Sequence, residues 1–129
     1  MELIAVLVII SIMVAISTPQ YFRARERSMD KQAQTILELI RASERQFHVE
    51  TGVNYPQPSG ASATNIDAIN GNLSLDLVDD GRWLYNITSG VGSGASFVAN
   101  LTRVGGWGYE RSWWINGTMY NASCSGNCP

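Results

Sequence analysis

The 129 residues hold one histidine, His48, and two cysteines, Cys124 and Cys128. So small a stock excludes most catalytic and metal chemistry. No nucleophile is paired with a histidine, and no glycine loop precedes a helix as a phosphate cradle requires. The glycines at 90–94 and 105–108 join strand candidates instead. An enzyme is therefore not expected, and no cofactor is called for. A basic excess is also missing. Nine Lys and Arg stand against eleven Asp and Glu, for a net charge of −2, so nothing attracts nucleic acid electrostatically. Charge of either sign is nearly absent from the first nineteen residues, where Glu2 stands alone.

What fills that stretch is apolar. Residues 3–16 read LIAVLVIISIMVAI, with Ser11 the only polar side chain. A membrane span needs about 20 such residues, so by length alone this run also suits a buried core helix or a signal peptide. A signal peptide has basic residues ahead of its apolar run and a small-residue cleavage site behind it. Here Glu2 precedes the run and Thr18-Pro19-Gln20 follows it.

Beyond Pro19 the pattern becomes that of an amphipathic helix. Met29, Ala33, Ile36, Leu37, Ile40 and Phe47 recur at three- and four-residue spacing. Arg23, Arg27, Lys31, Glu38, Arg41, Glu44 and Arg45 are assigned to the opposite, solvated face, where opposite charges three or four apart support one another. Gly52 is the stop signal. A helix over residues 1–50 would be about 75 Å long, more than a domain of this size is wide, so its apolar half must find cover elsewhere. Residues 54–72 read as a long loop with a short helical turn at 66–69. Strands are expected at 83–87, 96–104 and 111–120, forming an antiparallel meander covered by the amphipathic helix. The fold class is α+β: a long N-terminal helix packed on a small antiparallel β-sheet. It divides into an apolar transmembrane or filament-core helix (1–28), an amphipathic helix (29–52) and a globular β-head with a C-terminal disulfide loop (53–129).

The N-terminal segment closely resembles the start of mature type IV pilins and type II secretion pseudopilins. Glu2 opens the apolar run, Pro19 stands seventeen residues later, and Tyr21 and Phe22 follow. The resemblance covers about 25 residues; the head matches only in general layout. It implies a structural subunit of a type IV pilus-like extracellular filament, or alternatively a pseudopilin of a short periplasmic pseudopilus. A membrane-anchored monomeric binding module is a third, unrelated reading. The implied partners are further copies of the chain in a helical polymer, the inner membrane before assembly, the pilus assembly machinery and the prepilin peptidase. The implied location is the inner membrane first and the cell-surface filament afterwards. Family members carry four residues before the glutamate, preceded in the precursor by a short basic leader. Here only Met1 precedes it, so about three mature residues are expected to lie ahead of Met1.

Glu2 and Pro19 are the expected assembly residues. By resemblance, Glu2 faces the N-terminal ammonium of a neighbouring subunit; by itself it is also a carboxylate favoured at a helix start. Pro19 lacks a backbone N–H, and Ser11, Ser17 and Thr18 can bond nearby carbonyls. The resemblance implies a kink or a melted segment there. Arg23, Arg25 and Arg27 suit anionic lipid, acidic neighbours or plain solvent. Cys124 and Cys128 enclose three residues and are expected to form a disulfide, in keeping with an extracytoplasmic setting. Five Asn-X-Ser/Thr sequons, at Asn72, Asn86, Asn100, Asn116 and Asn121, exceed chance and mark candidate glycosylation sites, although polar strand faces also enrich Asn and Thr. Asp76, Asp79 and Asp80 form an acidic turn, with calcium binding the lesser reading. Trp83, Trp107, Trp113 and Trp114 suit sheet packing or lateral subunit contacts.

Overall fold

In the computed structural model, which describes residues 2–90, 96–105, 111–126 and 128 (backbone alone at Glu2), the apolar and amphipathic segments form a single helix. This helix, α1 (Glu2–Thr51), runs through Pro19 without interruption. It ends where the sequence predicts. Gly52 takes a φ of 78°, a conformation that favours glycine, and its N–H donates to the His48 carbonyl at 2.8 Å.

The chain divides into two compact units, Met1–Gln32 and Ala33–Pro129. The first is the N-terminal part of α1. Among its described residues only Met29 and Asp30 are buried. The second holds the rest of α1, then β1 (Ser62–Ala63), α2 (Ile66–Leu73), β2 (Trp83–Ser89), β3 (Phe97–Arg103), β4 (Arg111–Asn116) and β5 (Ser123–Gly126). The strands form one antiparallel sheet in the order β1-β2-β3-β4-β5, a meander in which each strand pairs with the next.

Strict alternation along β2, β3 and β4 gives the sheet one buried face. Trp83, Tyr85 and Ile87, Phe97, Ala99 and Leu101, and Trp113 and Ile115 point inward. The covering stripe on α1 is Ala33, Leu37 and Ile40, spaced four and three apart as a helix requires. Helix α2 adds Ile69 and Leu73. It is started by Asn65, whose Oδ1 accepts from the N–H groups of Asp67 (2.8 Å) and Ala68 (3.1 Å).

The structure departs from the sequence expectation in several places, among them the strand expected over 111–120, which ends at Asn116. The helical turn expected at 66–69 extends to Leu73. The sheet has five strands rather than three, because two short segments, β1 and β5, dock on its two edges. Most consequentially, Arg41 and Glu44 are buried instead of lying on the solvated face. Positions 41 and 44 follow Leu37 by four and seven residues, so they share its stripe whatever their polarity.

Glu44 has no exposed surface. Its Oε2 accepts the Tyr55 N–H at 3.1 Å and so anchors the chain just after the helix. Its Oε1 is buried and meets no donor among the described residues. Burial, opposed by the Tyr55 hydrogen bond, raises the carboxyl from 4.5 to about 7. The native state therefore keeps this proton across a window in which the unfolded chain has released it. Stability falls as pH rises from about 4.5 to about 7, by up to about 3 kcal/mol from this group alone. Glu44→Gln keeps an oxygen for Tyr55 and has no charge to bury. We expect the variant to be the more stable protein at pH 7.5, with the two proteins converging at pH 4. Thermal melts across that range check this, and equal pH slopes would refute it.

Candidate functional site

The exposed apolar surface of the first unit follows directly from the sequence. Once residues 3–16 are helical, no stripe of the helix is polar, because aliphatic side chains occupy every face. Leu3, Ile4, Val6, Leu7, Val8, Ile9, Ile10, Ile12, Met13, Val14 and Ile16 are each more than half exposed. The segment has a mean hydropathy of 2.3 over eighteen residues, none of them buried, and is long and apolar enough to cross a membrane. Its polar groups turn inward on the helix itself. Ser11 Oγ donates to the Leu7 carbonyl, Ser17 Oγ to Met13 and Thr18 Oγ1 to Val14, each at 2.8 Å. Each hydroxyl is thereby satisfied without water, which is what hydrocarbon surroundings demand.

Pro19 has no N–H to give the Ala15 carbonyl. The Ser17 and Thr18 hydroxyls bond the two carbonyls just before it, those of Met13 and Val14, and the helix continues through Pro19. Tyr21 and Phe22 follow as an exposed edge-to-face pair, 6.0 Å between centroids. Arg23, Arg25 and Arg27 come next and are exposed. The order is therefore apolar span, aromatic pair, then a basic cluster. That order matches the layers of a bilayer from hydrocarbon through interface to headgroups. The Glu2 side chain lies outside the described residues.

In the second unit, Cys124 and Cys128 are joined in a disulfide, with Cα atoms 6.0 Å apart. The ring closes β5 onto itself, and Cys124 faces Trp113 of β4. On the chain-entropy model so small a ring contributes about 2 kcal/mol. Asp79 and Asp80 are occupied locally: their Oδ1 atoms accept the N–H groups of Gly81 (2.9 Å) and Arg82 (3.0 Å). Among the described residues no three His, Cys, Asp or Glu side chains converge as metal ligands. His48 is exposed on α1. Trp83 and Trp113 belong to the core, Trp114 lies on the opposite sheet face, and Trp107 is outside the described residues.

The five sequons separate into two groups. Asn72 sits in the last turn of α2, where its Nδ2 donates to the Ala68 carbonyl at 2.7 Å, and Asn121 lies in the loop before β5. Asn86, Asn100 and Asn116 stand on β2, β3 and β4, all on the face turned away from the core. Sequence spacing contains no sign of this grouping, since 14 and 16 residues separate these three along the chain. Compared with protein-family models, with curated proteins and with solved structures, the chain matches none.

Proposed function

We propose that this protein is the structural subunit of a type IV pilus-like filament and polymerises through the N-terminal part of α1. The observation that carries the reading is the uncovered apolar surface of residues 3–16. Burying one Leu, Ile, Val or Met side chain is worth about 1.5–3 kcal/mol. Eleven such side chains, each more than half exposed, outweigh the roughly 4–15 kcal/mol that association costs in lost freedom. The resemblance of residues 2–22 to the pilin start supports the same reading, as does a disulfide-bonded head of the kind suited to an oxidising compartment.

On this reading the subunit waits in the inner membrane with residues 3–18 as its anchor. An assembly machine then extracts it, and the helices bundle into the filament core. Glu2 pairs there with the N-terminal ammonium of a neighbour. Either charge buried alone would carry a penalty of several kcal/mol, so only one axial stagger satisfies both. The stretch around Pro19, one hydrogen bond short and ready to extend, is where α1 would melt during packing.

Electron microscopy of fibres sheared from cells, with mass spectrometry of their subunit, tests the proposal. Fibres built of this chain support it. Cells without fibres and a detergent-extracted protein that stays monomeric count against it, and short periplasmic assemblies would favour the pseudopilin alternative. We expect Glu2→Ala to leave the protein in the membrane while lowering fibre yield more than tenfold, since several kcal/mol per interface is at stake. Wild-type fibre number in that variant would eliminate the charge pair.

A further inference from the structure

The outward face of the sheet carries the same five-residue pattern three times: an apolar residue, a buried residue, Asn, a buried or turn residue, then Thr. It reads Leu84-Tyr85-Asn86-Ile87-Thr88 on β2, Val98-Ala99-Asn100-Leu101-Thr102 on β3, and Trp114-Ile115-Asn116-Gly117-Thr118 at the end of β4. Because strand side chains alternate, the first, third and fifth residues of the β2 and β3 patterns share the outer face, as do Trp114 and Asn116 on β4. The register then sets the patterns side by side. Asn86 faces Asn100, Asn100 faces Trp114, and Val98 lies between Thr88 and Asn116. Leu84 remains 62% exposed and Val98 43% exposed.

In two of the three patterns the Thr hydroxyl turns chiefly to its own asparagine; Thr102 Oγ1 lies nearer Ser112 Oγ, at 3.2 Å. Thr118 Oγ1 donates to Asn116 Oδ1 at 2.9 Å, and Thr88 and Thr102 make longer contacts of 3.3 and 3.5 Å to Asn86 and Asn100. Ser62 Oγ adds a bond to Asn86 Oδ1 at 2.6 Å, and the N–H groups of Thr118 and Met119 add bonds to Asn116 Oδ1. Every one of these bonds to asparagine is to the amide oxygen. Drawing electron density to Oδ1 makes the Nδ2 protons more acidic, and none of these bonds occupies Nδ2. Asn72 is arranged the other way, with its Nδ2 donating into the helix.

We propose that this sheet face is N-glycosylated at Asn86, Asn100 and Asn116. The co-substrate is an oligosaccharide carried on a polyisoprenyl phosphate or diphosphate, and a membrane transferase supplies catalysis. The bond between sugar C1 and the carrier's phosphate oxygen breaks, the Nδ2–C1 bond forms, one amide proton is released, and the carrier leaves as its phosphate. No oxidation or reduction is involved. The first sugars would cover Leu84 and Val98 and lie against the Trp114 ring, whose flat apolar surface suits the C–H face of a pyranose. The proposal requires only that the head be exported, as its disulfide suits, and not that the chain polymerise.

The test is glycopeptide mapping of full-length protein extracted in detergent from the cells that naturally make it, whether or not they carry fibres. Cleavage after arginine leaves Asn86 and Asn100 on one peptide, 83–103, and Asn116 on another, 112–129. Saccharide mass is expected on both, localised by fragmentation to the three asparagines. Thr88→Val keeps a good strand residue and removes only the hydroxyl. It should abolish the mass at Asn86 while leaving Asn116 modified, and Thr88→Ser should restore it. Unmodified peptides, sugar found on Ser or Thr, or sugar confined to Asn72 and Asn121 would each overturn the assignment.

Discussion

Removing residues 1–25 is expected to turn a protein that needs detergent into a soluble monomer whose head melts within about 2 °C of the full chain. Every described residue from Leu3 to Arg25 is exposed, so none contributes to the core of the second unit. The stripe that does contribute begins at Ala33 and continues through Leu37, Ile40 and Glu44, all retained. Solubility changes so sharply because the deleted segment carries the eleven exposed aliphatic and methionine side chains between Leu3 and Ile16. What remains is a domain with its own core and its own disulfide. Sedimentation velocity and a thermal melt of residues 26–129 check both halves of the expectation. A fragment that aggregates, or that melts much earlier, would mean that the apolar segment supports the head rather than serving association.

The converse effect is expected from Phe97→Ala. Phe97 stands at the start of β3 on the inner face, 2% exposed, and is the largest of the fully buried or nearly fully buried apolar side chains that the sheet contributes outside its tryptophans and tyrosine. Its ring lies so near the β4 end that a Cβ added at Gly117 would come within 3.6 Å of Cε1. Truncation removes the ring and leaves a void beside β2, where Phe97 is held in register opposite Ser89. The cost should be about 3–5 kcal/mol. For a unit of this size that lowers the melting midpoint by roughly 15 °C or more. On the proposed filament reading, Leu7→Ala, an equally apolar change in the exposed segment, should leave the midpoint unchanged and weaken assembly alone. Paired melts and fibre counts of the two variants separate folding from polymerisation. A head that tolerates Phe97→Ala, or is destabilised by Leu7→Ala, would contradict the division of labour.

Helix α1 and its end were legible because their causes are local. Apolar continuity to Ile16, the three-four spacing after Met29, and a glycine able to adopt positive φ at 52 all act within a few residues. The same holds for the disulfide ring and for the alternation that marks β2, β3 and β4. Two readings went astray where polarity was taken as a guide to position. Arg41 and Glu44 look like surface residues by type, yet helical geometry sets them on the Leu37 stripe. Arg41 reaches a partner 79 residues away, the Tyr120 carbonyl at 2.9 Å, and its guanidinium stands 5.6 Å from the Tyr120 ring centre. The short strands β1 and β5 carry no pattern of their own, since two and four residues are too few to show one, and they exist because an edge was there to receive them.

The sequence by itself determined that this protein has one long helix with an apolar half the chain does not cover, because hydropathy and helical period are properties of neighbouring residues. Only the tertiary structure decided that Arg41 meets Tyr120 and that three distant Asn-X-Thr patterns lie side by side in register on one face. Those outcomes depend on strand register and on what packs across from what, and such non-local pairings leave no spacing in the chain from which they could be read.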